Sequence, residues 1–367
     1  MRPDTHELPH TMKSSAVTLV RSALLAGLAG MSAGVALAAT PAEQKAIVQT
    51  GLGGLDVLKL QTVPVREPGA NQVLIKVYAA AVNPSDIKAR TGEDGYAPPA
   101  GTPAIAVPGG DVAGVIEKVG SGVTGFKVGD AVFGVVPRVP GTLNGAYSEY
   151  AVAPVATVVA KPKNISYAEA SGLGIAGITG VRNVNVTKVS QGQRVLITGA
   201  AGGVGSTAVQ AAKAKGAYVI GVASARHHNY LRSLGIDEII DYTKVRFEEQ
   251  VKNVDAVIDT VGEDDNTAER AMTTLKKGGM YISVGARGLE AKCTAAGIVC
   301  AGRASAPAVE RSIYEETAAL AAAGKLKVNI DKSFPLAEAA QAQAAVEAGR
   351  TQGKIVVIVN AAEASKK

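Results

Sequence analysis

The chain has 367 residues, of which 47% are hydrophobic and 19% are charged, and its formal net charge at pH 7 is +6. That length is sufficient for two globular domains. The basic residues are scattered, without a basic run or an interleaved aromatic platform, so we expect no nucleic acid among its partners.

The first 39 residues are typical of a leader rather than of a globular domain. A short basic region precedes an uncharged apolar stretch, residues 23–37, which ends in Ala36-Leu37-Ala38. This order of segments is typical of a cleaved secretory signal. We predict a signal peptide with an upstream extension over residues 1–39, an exported or periplasmic mature protein, and no stable membrane span after processing. The alternative is an uncleaved extension on a cytoplasmic protein.

The N-terminal half of the remaining chain consists of short strand patterns separated by glycines. Val73–Val82 alternates as a strand, and residues 108–134 are divided by turns at Gly120–Gly122 and Gly129–Asp130. Residues 144–153 predict another strand. Many short strands joined by glycine turns indicate a small β-barrel.

A glycine-rich turn, Gly199–Gly205, follows the strand pattern Val195–Thr198 and precedes a helix-favouring run to Lys213. Strand, turn and helix N-terminus together form a phosphate-binding corner, because unpaired N–H groups and the helix dipole face a pyrophosphate. The alternative is an ordinary strand–turn–helix connection. The predicted cofactor-binding residues of the turn are Ala201, Gly202, Gly203, Val204 and Gly205.

Further apolar runs and helical stretches alternate beyond the turn. The runs are Tyr218–Ala223, Glu238–Tyr242, Val254–Val261, Met280–Gly285 and Gly297–Ala301, and the helical stretches include Arg226–Leu234 and Asn266–Lys277. Near-continuous hydrophobic strands of this kind predict a parallel sheet covered on both faces. Such a sheet binds its ligand at the carboxyl ends of its strands.

The residues after the second strand of this sheet bear on the choice of cofactor. An NAD site usually has Asp or Glu there to bind the ribose, whereas this strand is followed by Ser224-Ala225-Arg226-His227-His228. Ser224 and Arg226 would bind a 2′-phosphate through charge-assisted hydrogen bonds, so they predict NADP (NADPH). A solvated helix start is the alternative. Tyr242 closes the third strand and is predicted to add a phenolic contact.

The C-terminal region contains two further strand patterns, LKVNIDKSFPL and GKIVVIV, around a predicted helix at Ala337–Ala348. The two cysteines, Cys293 and Cys300, lie before it. A disulfide would require the six residues between them to turn back, so we expect two free thiols.

Nine sequence blocks between Ala46 and Asn360 carry a family resemblance: AAVNPSDI, PGGDVAG, VGSGVTGFKVGDAVFG, GAYSEYAV, AAGGVG, DYTK, VIDTVG, LKKGG and GKIVVIV. With them the chain resembles the medium-chain dehydrogenase/reductase superfamily, in its zinc-independent, zeta-crystallin-like quinone oxidoreductase branch. The resemblance implies an α/β fold with a GroES-like β-barrel catalytic domain and a doubly wound parallel Rossmann domain. The implied ranges are residues 40–165, completed by 324–367, for the GroES-like domain and residues 166–323 for the Rossmann domain. A homodimer is expected, since relatives are often dimers.

The sequence lacks the ligands of a catalytic zinc site, which needs three Cys, His or carboxylate ligands. The cysteines and the four histidines, His6, His10, His227 and His228, all lie outside the predicted barrel. Zinc-dependent relatives have a cysteine ligand where this chain reads Asn-Pro-Ser-Asp. We therefore predict no metal.

The resemblance implies the catalytic residues. It places Asn83 near the nicotinamide, where its amide bonds the cofactor or the substrate oxygen, and Tyr96 resembles a proton-donating tyrosine of related enoyl reductases. The alternatives are that Asn83 only ends a strand and that Tyr96 only covers the cleft, and we expect Asp86 to cap a helix. Further cofactor-binding candidates are Gly262, Val284, Gly285 and Lys354.

The predicted function is hydride transfer from NADPH to a small molecule, a quinone or an activated alkene such as an enone or enal. The alternative is an exported NADPH-binding protein with little catalysis, acting as a sensor or as a structural homologue of the enzymes.

Overall fold

The computed structural model describes residues 40–93, 96–262, 266–286, 288–301 and 310–367. The predicted leader, residues 1–39, lies outside the described residues. Within those ranges, no helix is both long enough and apolar enough to cross a membrane.

The first half of the described chain is built from short strands that pair mainly antiparallel. They are β1 (Glu43–Gln49), β2 (Leu58–Pro64), β3 (Gln72–Ala81), β4 (Asp111–Val119), β5 (Ala131–Val135), β6 (Tyr150–Pro154) and β7 (Val158–Ala160), with helix α1 (Pro84–Thr91) after β3. β1 pairs with β2, and β3 pairs with both β4 and β6. Their buried side chains share one apolar cluster that includes Val73, Ile75, Ile116 and Val132.

Helices α2 (Tyr167–Ser171) and α3 (Ile178–Thr187) lead into a separate, six-stranded sheet. Its strands are β8 (Arg194–Thr198), β9 (Tyr218–Val222), β10 (Glu238–Ile240), β11 (Val254–Asp259), β12 (Leu275–Ser283) and β13 (Val299–Ala301). The connections contain α4 (Gly203–Ala214), α5 (His228–Ser233), α6 (Phe247–Gln250), α7 (Thr267–Met272) and α8 (Glu290–Ala296). All pairs are parallel, in the order β10-β9-β8-β11-β12-β13.

Both faces of this parallel sheet are buried, which explains its continuous apolar strand patterns. In β8, Val195 and Ile197 belong to one apolar cluster, whereas Leu196 between them belongs to another. Successive strand residues point to opposite faces, so these clusters lie on opposite sides of the sheet. The predicted α/β class with a doubly wound parallel sheet is confirmed.

The chain then returns to the sheet that contains β3–β7, which two further strands extend to seven. After α9 (Arg311–Ala322) come β14 (Ile330–Pro335), α10 (Ala339–Glu347), β15 (Lys354–Ile358) and α11 (Ala361–Ala364). β15 pairs parallel with β14 and antiparallel with β3. The segment just before β15 also touches the glycine turn, because Gly353 forms a parallel bridge with Gly202.

Two predicted elements differ from the structure. The helix predicted at Asn266–Lys277 ends at Met272, and Leu275 already belongs to β12. The buried Thr274 hydroxyl donates to the Ala271 carbonyl, a local bond that satisfies a last-turn acceptor where the helix stops. The strand predicted at residues 144–153 begins only at Tyr150, because the Asn144 side chain bonds both backbone groups of Val152 and closes a loop.

The expectation of two free thiols is wrong, because Cys293 and Cys300 form a disulfide. Cys293 is in α8, which ends at Ala296, and Gly297 follows with a φ of +65°. This left-handed conformation, which glycine adopts without strain, reverses the chain into β13. The two Cα atoms thereby come within 5.9 Å of each other.

Candidate active site

The predicted cofactor residues lie along one edge of the parallel sheet. Tyr242 follows β10, Ser224 follows β9, the glycine turn follows β8, Gly262 follows β11 and Gly285 follows β12. The strands are neighbours in this order, so these residues form a row at their carboxyl ends. The strand order reverses between β8 and β11, where a doubly wound sheet binds its ligand.

The glycine turn leaves the N-terminus of α4 open to a ligand. Its N-cap residue is Gly202, and no side chain caps the first turn. At Gly205 an added Cβ would lie 2.2 Å from the Gly199 carbonyl oxygen, so only glycine allows this helix to approach its strand. Unpaired N–H groups at the start of a twelve-residue helix fit the pyrophosphate of a dinucleotide.

Asp259, at the end of β11, shapes the loop on the other side of the turn. It is fully buried, and its Oδ1 accepts hydrogen bonds from the backbone N–H groups of Val261, at 3.1 Å, and Gly262, at 3.3 Å. The Tyr281 hydroxyl donates to its Oδ2 at 2.7 Å. An added Cβ at Gly262 would lie 3.2 Å from the Gly285 Cα, so the loops after β11 and β12 are in contact.

The residues predicted to bind the 2′-phosphate are accessible. Ser224 is half-buried and Arg226 is exposed, in the 3₁₀ turn that separates β9 from α5. Arg226 Nε donates to Nε2 of the buried His227 at 3.0 Å. Tyr242 is exposed on the adjacent strand end, and its predicted phenolic contact stays a prediction.

Asn83 lies in a buried polar network at the other end of the row. Its Nδ2 donates to Asp111 Oδ2 at 2.9 Å, and its Oδ1 accepts from Lys354 Nζ at 2.6 Å. Lys354 Nζ also donates to the Val82 carbonyl at 2.9 Å and lies 3.4 Å from Asp111 Oδ2. The ammonium thus directs its three donors into the protein. This favours a role for Lys354 through Asn83, although direct cofactor binding stays a prediction.

Lys354 connects this network to the cofactor turn. An added Cβ at Gly203 would lie 2.7 Å from Lys354 Cδ, so the lysine stem passes directly against the first turn of α4. The preceding residue, Gly353, donates its N–H to the Ala201 carbonyl at 2.8 Å. The start of β15 therefore contacts the glycine turn and Asn83 together.

Helix α1 holds Asn83 in place. Asn83 is its N-cap, and Asp86 accepts the Asn83 backbone N–H at 2.9 Å, as a capping box requires. The predicted capping role of Asp86 is therefore confirmed. At the far end of α1, Arg90 is almost fully buried and bonds Gln343 and Glu347 of α10.

Burial controls the acidity of this network. It raises the pKa of Asp86 to about 6, against the lowering influence of the Asn83 N–H bond. Burial also raises the pKa of Asp111, although Lys354 and Asn83 oppose it. The Tyr147 hydroxyl lies 3.3 Å from Asp86 Oδ2, and its pKa is raised well above its ordinary value by burial and by the two carboxylates.

Tyr96 is half-buried beside Arg138. The Arg138 guanidinium lies 5.9 Å from the centre of the Tyr96 ring and donates to the Tyr96 carbonyl at 2.9 Å. Burial lowers the pKa of Arg138, whereas the nearby Asp86 and Tyr96 raise it. Arg138 thus links Tyr96 electrostatically to the helix that carries Asn83.

The sequence did not predict roles for Asp111, Arg138, Tyr147 or Gln352, whose side-chain oxygen lies 3.2 Å from His227 Nδ1. Asp111 carried a usable signal, because it is a charged residue inside the apolar pattern Gly-Gly-Asp-Val-Ala-Gly. The other three carried none, since nothing in their local sequence distinguishes them from loop or core residues.

The His, Cys, Asp and Glu side chains of the described residues do not form a metal site. In the part of the chain that the structure describes, no group of three or more His, Cys, Asp or Glu side chains could hold one. Cys293 and Cys300 are bonded to each other, and His227 is engaged by Arg226 and Gln352. His6 and His10 lie outside the described residues.

Comparison with known proteins agrees with this fold. A model described as alcohol dehydrogenase GroES-like domain matches residues 69–163, and one described as zinc-binding dehydrogenase matches residues 234–357. The chain is 36% identical over 326 residues to 2-methylene-furan-3-one reductase of Solanum lycopersicum, covering 86% of this chain and 79% of that one. It is 36% identical over 329 residues to the chloroplastic NADPH-dependent alkenal/one oxidoreductase of Arabidopsis thaliana, covering 87% and 81%.

A solved structure, the quinone oxidoreductase from Coxiella burnetii, superimposes with a TM-score of 0.78 at 34% identity, covering 86% of this chain and 99% of that one. The identity and the coverage extend over both sheets rather than over the cofactor turn alone. The chain therefore belongs to the medium-chain dehydrogenase/reductase superfamily, in the branch that contains quinone and alkenal/one oxidoreductases.

Proposed function

We propose that this protein is an NADPH-dependent reductase that transfers a hydride to quinones or to activated alkenes such as enones and enals. The observation that carries the proposal is the contact of one segment, Gly353-Lys354, with both the cofactor turn and the Asn83 amide. A dinucleotide bound at the turn would therefore extend toward a fixed polar group. The names of the Arabidopsis and Coxiella relatives support the cofactor and the substrate class.

The residues divide into binding, orienting and proton-donating groups. The turn from Ala201 to Gly205 would bind the pyrophosphate, and Ser224 with Arg226 would bind the 2′-phosphate. When bound, NADPH supplies the hydride. Asn83 is held by Lys354 and Asp111, and its Nδ2 also donates to the Ala81 carbonyl at 3.5 Å. The remaining lone pair of its Oδ1 would accept from the carboxamide N–H of the cofactor and so orient the nicotinamide.

Proton transfer completes reduction of an enone. Hydride addition at the β-carbon leaves an enolate, which needs one proton at the α-carbon. We assign this donation to the Tyr96 phenol, in the loop beside Arg138. A quinone needs no such donor, because its reduced oxygens can take protons from water.

We also propose that the reaction is independent of zinc. Two observations support this: the donor set does not fit a metal, and the position beside Asp111 is occupied by the Lys354 ammonium. A cation already faces the carboxylate there, so a second one would be repelled.

The experiment is NADPH oxidation by the purified protein against a panel of quinones, enones and enals, with the matched saturated carbonyl compounds as controls. We expect turnover of the unsaturated compounds alone, unchanged by a chelator. Loss of activity on chelation would refute zinc independence. Tight NADPH binding without turnover of any compound would refute the reductase and favour the alternative of a binding protein.

We propose that the mature protein is exported. Two observations support export: the leader pattern of residues 1–39 and the Cys293–Cys300 disulfide, since disulfides persist mainly in oxidising compartments. Sequencing the N-terminus of the protein from separated cell fractions tests this. A processed form that begins at Ala39 or Thr40 outside the cytoplasm is expected, and an intact N-terminus in a cytoplasmic pool would contradict it. A homodimer is also proposed, and light scattering on that material would give its mass.

A further inference from the structure

His227, the residue that follows Arg226, contacts the Arg226 guanidinium and restricts its orientation. His227 is 8% exposed, and its two ring nitrogens have different partners. Nε2 faces the Nε of Arg226 at 3.0 Å, and Nδ1 faces Oε1 of Gln352 at 3.2 Å. An arginine Nε–H can only donate and an amide oxygen can only accept, so one neutral tautomer satisfies both, with the proton on Nδ1.

Gln352 is itself held on both sides. Its backbone carbonyl accepts from Asn329 Nδ2 at 2.7 Å, and the next residue, Gly353, donates to Ala201 at 2.8 Å. Gly353 has a φ of +79°, and an added Cβ would lie 2.3 Å from the Asn329 carbonyl oxygen. The Gln352 side chain therefore starts from a backbone position that has little freedom.

These contacts determine the orientation in which Arg226 can bind a phosphate. An exposed arginine side chain has many rotamers, and ordering them on ligand binding weakens the affinity. With Nε bound to His227, the guanidinium plane is fixed while both Nη groups stay available. A pair of Nη groups suits bidentate recognition of a phosphate.

We propose that His227 and Gln352 are specificity-determining positioning residues, which hold the Arg226 guanidinium where the 2′-phosphate of NADPH binds. This inference rests on the proposed function. It assigns selectivity for the phosphorylated cofactor to a chain of contacts that runs from the start of β15, through a histidine, to the arginine.

Binding of two nucleotide halves tests the inference without any turnover. Adenosine 2′,5′-bisphosphate carries the 2′-phosphate and AMP lacks it, and calorimetry measures both affinities. For Gln352→Met we expect a loss of about fivefold to tenfold in bisphosphate affinity, the equivalent of one hydrogen bond, with AMP affinity within about twofold of the parent. His227→Phe should behave in the same way.

A double variant separates positioning from general structural damage. In the Arg226→Ala background, Gln352→Met should cause no further loss, because its effect passes through the arginine. The matched control is His228→Phe, which changes the same residue type one position along and should leave the ratio of the two affinities unchanged. Equal losses for both nucleotides, a full further loss in the Arg226→Ala background, or a loss in the control as large as that of His227→Phe would each overturn the inference.

The test also distinguishes this inference from the proposed function. A parent protein that binds bisphosphate and AMP equally would refute the proposed NADPH preference itself. A parent preference that survives Gln352→Met and His227→Phe would refute the positioning role alone.

Discussion

Replacing Lys354 by methionine tests the buried network that holds Asn83. The substitution keeps most of the side-chain length and removes the ammonium, which bonds Val82, Asn83 and Asp111. Lys354 is 5% exposed and Asp111 is fully buried, so solvent cannot compensate for the loss. Removal of one partner of a buried ion pair costs about 3–5 kcal/mol, and we expect Lys354→Met to lower the free energy of unfolding at pH 8 by that amount.

The loss should depend on pH with a definite sign. Burial raises the pKa of Asp111 and Lys354 lowers it, so the pKa rises further in the variant. A carboxyl group with a raised pKa in the folded state destabilises the fold when it is ionised, and the penalty is relieved as the pH falls. The deficit of Lys354→Met should therefore be smaller at pH 5 than at pH 8.

Urea unfolding of the parent, Lys354→Met, Asp111→Asn and the double variant at both pH values provides the assay. The double variant lacks the unpaired charge and should recover more than half of the deficit. Turnover should fall in Lys354→Met, since Asn83 loses a partner. A Lys354→Met protein within about 1 kcal/mol of the parent at pH 8 would refute the reasoning, because that is the range of an exposed ion pair.

Three further predictions concern Asp86, Tyr96 and the disulfide. The difference between a pKa of about 6 and the ordinary 3.8 corresponds to about 3 kcal/mol of destabilisation by the ionised Asp86, present above pH 6 and relieved as the pH falls toward 4. Because Asp86→Asn also weakens a helix cap of about 1 kcal/mol, it should stabilise the protein by about 1–2 kcal/mol at pH 8 and not at pH 4 in urea unfolding, and a pH-independent difference would contradict this. Tyr96→Phe should lower enone turnover by about 10²–10⁴-fold and quinone turnover less, and an unchanged enone rate in the same assay would remove Tyr96 from the mechanism. Because Cys293 and Cys300 are seven residues apart, their disulfide should contribute about 2–3 kcal/mol to the free energy of unfolding. Dithiothreitol should therefore lower the unfolding midpoint of the parent protein. If dithiothreitol lowered the midpoint of the Cys293→Ser/Cys300→Ser variant by the same amount, the assignment to the disulfide would be contradicted.

Local patterns were sufficient for the parallel sheet and its cofactor edge. The strand before Gly199 and the helix after Gly205 are set by short-range hydrophobic and glycine patterns, and parallel strands buried on both faces have few alternatives. The row of strand ends follows from the sheet order. Hence the sequence was sufficient to assign Ser224 and Gly262 to the same edge of the sheet.

Contacts between side chains that are far apart in the sequence could not be predicted from the same local patterns. Asn83, Asp111 and Lys354 are separated by tens to hundreds of residues. The pairing of β3 with β4 brings Asn83 to Asp111, and the return of β15 to β3 adds Lys354. The His227–Gln352 contact, across 125 positions, depends on the same return. The disulfide was missed for a local reason, since one left-handed glycine, Gly297, supplies the reversal that the spacing argument excluded.

Following the hydride from NADPH to the product tests the proposed mechanism most directly. The purified protein is supplied with NADPH deuterated on the transferred face at C4 of the nicotinamide, together with an enone from the panel, and the product is analysed by mass spectrometry and NMR. One deuterium is expected, at the former β-carbon, with a solvent-derived proton at the α-carbon. A reduced product without deuterium at the β-carbon would contradict direct transfer between a cofactor on the glycine turn and a substrate beside Asn83.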